Sequence, residues 1–143
     1  MKVEGTWMYA APREVVWQRL LDPDRLRACI PGCRTLDAAG PDRWNATLSV
    51  GAGPIRGMYN GSVAITDKAE PESYVLAIDG KGAPGFVRGT AHVTLSATPD
   101  GTRVDVSADG QVGGTVAAVG QRMLSGVART LMGQFFDCLR AQL

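Results

Sequence analysis

The chain has 143 residues, 45% hydrophobic and 20% charged, a composition that fits one folded domain over 1–143 and excludes disordered and collagen-like classes. Fifteen basic residues against fourteen acidic ones leave a net charge of +1 with no cluster of Lys and Arg, which argues against a nucleic-acid partner. Three separate cysteines, no leader-like start at Met1 and no run of 18 uninterrupted apolar residues point to a cytoplasmic chain that carries no membrane anchor of its own.

Lys2 to Tyr9 has strand composition. Pro12 then opens a helical segment with Val15, Val16, Leu20 and Leu21 on one side, and Asp22-Pro23 starts a second short helix reaching Cys29. From Trp44 the period changes to two. Trp44, Ala46, Leu48 and Val50 share a phase; so do Ile55 to Ile65, then Tyr74, Leu76 and Ile78, then Val87 to Leu95, then Val104 to Gly110. Turn signals at Ala52-Gly53-Pro54, Glu70-Pro71, Gly80 to Gly85 and Pro99-Asp100-Gly101 separate these runs, which implies an antiparallel meander. Past Gly113-Gly114 the period becomes 3.6 to the end. One helix of about 30 residues is expected there, with Val116, Gly120, Met123, Leu124, Val127, Leu131, Gln134, Phe135 and Cys138 inward and Arg122, Ser125, Arg129 and Arg140 opposite.

The order strand, two helices, six strands, long helix predicts an α+β fold in which a curved seven-stranded antiparallel sheet wraps around the C-terminal helix. Gly57, Gly61, Gly89, Ala91, Ala108 and Gly110 lie in the inward phase. Two explanations stand side by side: bends that curl the sheet, or volume left open between sheet and helix. Gly120, placed inward on the helix, favours the second.

Catalytic chemistry finds few parts. His92 is the one histidine and lies in an outward phase, and Cys29 and Cys33 lack a second ligand pair, so no metal and no cofactor are expected. Gly80 to Gly85 matches G-x-G-x-x-G by letter but leads into a strand and reads as a hairpin loop.

Ala10-Ala11-Pro12 with Val16-Trp17, Leu21-Asp22-Pro23, Cys29-Ile30-Pro31-Gly32-Cys33, Gly51 to Gly57 with Tyr59 and Gly61, Gly110 to Gly114 with Ala117 to Gly120, and Gln134-Phe135-Phe136 together cover essentially the whole chain. These stretches resemble the CoxG family of carbon monoxide dehydrogenase subunits, which belongs to the START-like, or SRPBCC, superfamily. The resemblance implies a helix-grip fold over an apolar tunnel and a non-enzymatic role beside a molybdenum-containing CO dehydrogenase-type hydroxylase, in membrane recruitment or in carrying a quinone or other lipid. Many members carry a C-terminal extension; this sequence stops at Leu143, so direct membrane tethering is not expected.

The leading expectation is a binding protein for a hydrophobic small molecule, quinone or lipid-like, lined by Trp44, Leu48, Tyr59, Tyr74, Leu76, Val93, Val106, Gly120, Met123, Val127, Leu131, Gln134 and Phe135. Gln134, on the apolar side of the wheel, needs a partner, either a strand backbone group or the ligand's polar head. The alternatives are an accessory interaction protein, with Met132 and Phe136 as a contact pair beside Arg129 and Arg140, and a cyclase- or hydrolase-like enzyme.

Overall fold

The computed structural model describes residues 1–51 and 55–143; the turn expected at Ala52-Gly53-Pro54 lies outside the described residues. The elements are β1 (Lys2–Tyr9), α1 (Arg13–Leu20), α2 (Pro23–Cys29), β2 (Cys33–Gly40), β3 (Arg43–Val50), β4 (Gly57–Ala69), β5 (Ser73–Gly82), β6 (Gly85–Thr98), β7 (Gly101–Gly113), a 3₁₀ segment (Thr115–Val119) and α3 (Gln121–Ala141). All seven strands form one antiparallel sheet in the order β1-β7-β6-β5-β4-β3-β2. β1 crosses back to pair with β7 and forms one edge of the sheet, β2 the other. β2 is the strand that no clean alternation announces: Leu36 is its one buried residue, and its ladder with β3 shifts register between Cys33 and Thr35 and again between Ala38 and Gly40.

The two short helices form where their start signals stand. Pro12 sits at the N-cap of α1, while the Asp22 carboxylate accepts a bond from the Asp24 N–H at 3.0 Å and caps α2. Desolvation works against the Asp22 charge, but the Asp24 and Arg25 bonds outweigh it and hold its carboxyl below the ordinary range. The bulky inward side chains pack at one end of the sheet. Tyr9, Val16, Trp17, Leu20, Trp44, Ile65, Tyr74, Val93, Leu95, Val104, Val106, Phe136 and Leu139 make a single buried cluster, with Trp17 edge-on to Tyr74 at 5.4 Å. Tyr9, whose hydroxyl burial pushes well above its usual range, donates to the Phe136 carbonyl at 2.8 Å and ties β1 to α3.

Two sets of expectations are corrected, the first about the last helix. The helix does not run unbroken from Gly114: a 3₁₀ segment comes first, and α3 starts only at Gln121 and has 21 residues. Gly120 between them has φ +92° and ψ 153°, a region that only glycine occupies comfortably, and a Cβ there would meet nothing within 4 Å. It is an exposed joint, not an inward helical position. Gly120→Ala is therefore expected to destabilise the protein by about 1–3 kcal/mol, from backbone strain. A thermal melt with an unchanged or raised midpoint would show that the joint is not strained.

The second correction concerns the cysteines. Cys29, at the end of α2, is bonded to Cys138 of α3, with Cα atoms 5.4 Å apart, and Cys33 alone is free. A sequence separation of 109 residues hides this pair, because only the tertiary packing of α2 on α3 brings them together. Among the described residues no three His, Cys, Asp or Glu side chains converge as metal ligands, and no helix is long and apolar enough to cross a membrane.

Candidate functional site: an apolar cavity under the first half of α3

α3 comes closest to the sheet along β1 and ends in the packed cluster through Phe136 and Leu139. Its first half faces a space instead. Leu124, Val127, Ala128 and Leu131 look across a cavity of about 240 Å³ at Leu48 and Val50 of β3, Tyr59, Gly61 and Val63 of β4, Ile78 and Gly80 of β5, Val87 of β6 and Val112 of β7, with Met1 and Val116 also in its lining. At about 30 Å³ per molecule of liquid water, that is room for roughly eight waters, and walls this apolar offer them few partners. A lining dominated by Val, Leu and Ile, with Tyr59 and Phe86, is the kind that takes an apolar guest.

The cavity exists because bulk is distributed unevenly along the strands. At the packed end the inward positions hold Trp44, Tyr74 and Leu95, whereas towards the other end they hold Gly61, Gly80 and Val87. Gly61 lies directly across from Gly80, and Gly89 across from Gly110. A Cβ on Gly61 would stand 2.6 Å from the Asp79 carbonyl oxygen, and one on Gly89 the same distance from that of Asp109. Neighbouring strands approach too closely there for any side chain. Gly61 thus marks a close approach of two strands and also lines the cavity.

Polar groups are few and mostly occupied. The Tyr59 hydroxyl, pushed above its ordinary range by burial, donates to the Ile55 carbonyl at 2.7 Å. Among the described residues Asp79 is the one carboxylate at the wall, and it turns to Arg88 on the outer face, 3.5 Å away. The N-terminal ammonium donates to the Gly110 carbonyl at 2.9 Å. His92 is exposed on the outer face, and Gly82 and Gly85 flank the two-residue turn of the β5–β6 hairpin.

Of the thirteen lining residues expected from sequence, Leu48, Tyr59, Val127 and Leu131 line the cavity. Trp44, Tyr74, Val93 and Val106 belong to the packed cluster, with Leu76 and Phe135 against it. Met123 and Gln134 are exposed and line a second, open groove on the far side of Val127 and Leu131; Gly120 is the joint described above. Gln134 therefore needs no buried partner. Phe136, expected as a contact residue beside the arginines, is instead 4% exposed and stacked on Trp7 at 4.1 Å, and Met132 packs against the same cluster. On the helix the expected apolar stripe is centred on the wrong side: α3 buries Leu124, Phe136 and Leu139, whereas Met123 and Gln134, placed inward by the wheel, are exposed. Val112, Val116, Leu124, Ala128 and Phe86 are lining residues outside the expected set.

Among solved structures, a conserved protein from Geobacillus kaustophilus is 36% identical to this chain and superposes with a TM-score of 0.96, the match covering 99% of this chain and 94% of that one. A START superfamily protein from Mycobacterium smegmatis shares the fold at 15% identity, with a TM-score of 0.77 and coverage of 99% and 95%. Protein Ms6760 from the same organism is 22% identical, with a TM-score of 0.72 and coverage of 99% and 89%. No curated protein matches. The CoxG family of carbon monoxide dehydrogenase subunits matches residues 5–143, nearly the whole length, and together with a helix gripped by a seven-stranded sheet this establishes that the chain belongs to the CoxG family and has the START-like fold.

Proposed function

We propose that the protein is a non-enzymatic carrier that holds a hydrophobic small molecule, a quinone or other lipid-like compound, in the cavity between the sheet and the first half of α3. The observation that supports this reading is the wall itself: about 240 Å³ bounded mostly by apolar side chains, beside a buried cluster that occupies the other end of the sheet. Burial of apolar surface at about 25 cal/mol per Å² supplies the affinity, and among the described residues of the wall the Tyr59 hydroxyl is bonded to Ile55 and the Asp79 carboxylate faces Arg88. The family's name associates it with carbon monoxide dehydrogenase, and the partner we propose is accordingly a molybdenum hydroxylase of that type, which such a carrier would serve. We place the carrier in the cytoplasm; the Cys29–Cys138 bond pulls against this placement, since such bonds persist chiefly in oxidising compartments.

The test is direct. Protein purified from its own host without detergent, extracted into organic solvent and analysed by mass spectrometry, is expected to release an apolar compound in near-stoichiometric amount, and the stripped protein should bind a fluorescent apolar probe that the extract displaces. A chain that yields no such compound and binds no apolar probe is not a carrier.

A further inference from the structure

A second concave space adjoins the cavity. It is an open groove of about 730 Å³ between the Pro31-Gly32 turn, the end of β3 and α3. Val50, Val127 and Leu131 line both spaces, so the two meet at the gap between β3 and the helix. Their chemistry differs. The inner wall is mostly apolar, whereas the groove presents the exposed side chains of Thr130 and Gln134 one helical turn apart, and among the described residues no ionisable side chain lines it. One turn before Thr130 on the same face, Gly126 leaves the groove floor open, since a Cβ there would meet nothing within 4 Å. The opposite wall is held in place, because Ser49 N–H donates to the Gly32 carbonyl at 2.8 Å.

Resting on the carrier reading above, we propose that this groove is the subsite for the uncharged polar end of the ligand: the guest is a neutral amphiphile bound tail-in, with its carbonyl or hydroxyl group against Gln134 and Thr130. A Gln amide both donates and accepts. The Thr130 hydroxyl donates to the Gly126 carbonyl at 3.0 Å, which leaves its lone pairs to accept from a ligand. A phosphate or carboxylate would find no cation here, so the selected head is neutral.

The test uses three probes with the same chain, n-octane, 1-octanol and octanoate, measured by NMR titration or probe displacement on the wild-type protein and on a Gln134→Leu/Thr130→Val double variant. Both positions are exposed, so the variant should fold, and an unchanged melting curve checks this. The expected result is that wild type prefers octanol to octanoate by about tenfold at neutral pH. The double variant should lose about five- to tenfold in octanol affinity while octane stays within about twofold. Gln134→Lys should then improve octanoate binding. If octanol and octane fall together, or if neither changes, the groove is not the head subsite. If wild type binds neither octane nor octanol, the carrier reading fails first, and this subsite fails with it.

Discussion

Replacing Ala128 by Phe is expected to remove apolar probe binding, by at least tenfold in affinity, without lowering the melting temperature. Ala128 projects from α3 into the cavity, so a benzyl group there meets space instead of packed neighbours. Filling it buries apolar area worth about 1.5–3 kcal/mol, against a helix-propensity cost of about 0.5 kcal/mol. The control is Ala91→Phe, in the same inward phase but 5% exposed within the packed cluster. Overpacking there should cost about 1–3 kcal/mol or more. Calorimetry and probe titration on both variants separate the outcomes: equal destabilisation of the two would mean that the space beneath α3 is not open in solution.

Phe136→Ala should be the most damaging single truncation on α3, with a loss of about 3–5 kcal/mol in unfolding free energy. The ring is stacked on Trp7 at 4.1 Å and edge-on to Phe135 at 5.0 Å, and the residue's own carbonyl accepts the Tyr9 hydroxyl. Since small domains are stable by only about 5–15 kcal/mol, urea denaturation should show a much lower midpoint, or a chain already partly unfolded in buffer. Were Phe136 a surface contact for a partner, truncation would leave stability within about 0.5 kcal/mol of wild type.

The architecture is largely legible in the sequence because each strand's alternation reports which face turns to the helix, and the Asp22-Pro23 cap and the Gly82–Gly85 turn announce themselves by residue type. Depth along a face is another matter. Trp44 and Leu48 share one strand and one phase, yet Trp44 lies in the packed cluster and Leu48 lines the cavity. Alternation cannot separate them, because whether an inward side chain meets protein or space depends on how far α3 stands from the sheet at that level. The usable signal is the gradient of bulk, from Trp44, Tyr74 and Leu95 to Gly61, Gly80 and Val87, read along the strands together. On the helix the error is one of phase. Gly120 has the spacing of a packing residue, and only its positive φ shows that the helical count restarts after it.

β2 ends the sheet opposite β1, and its unpaired side faces away from β3. A long, regular edge would invite a second chain to extend the ladder by further main-chain bonds. Here the strand changes register twice within eight residues, and Arg34 and Asp37 add charge of both signs. Each irregularity twists the edge and interrupts the row of donors and acceptors. What remains between them is a stretch of four residues, too short to template a neighbour, so the strand most weakly marked in the sequence keeps its own edge of the sheet from extending into an aggregate.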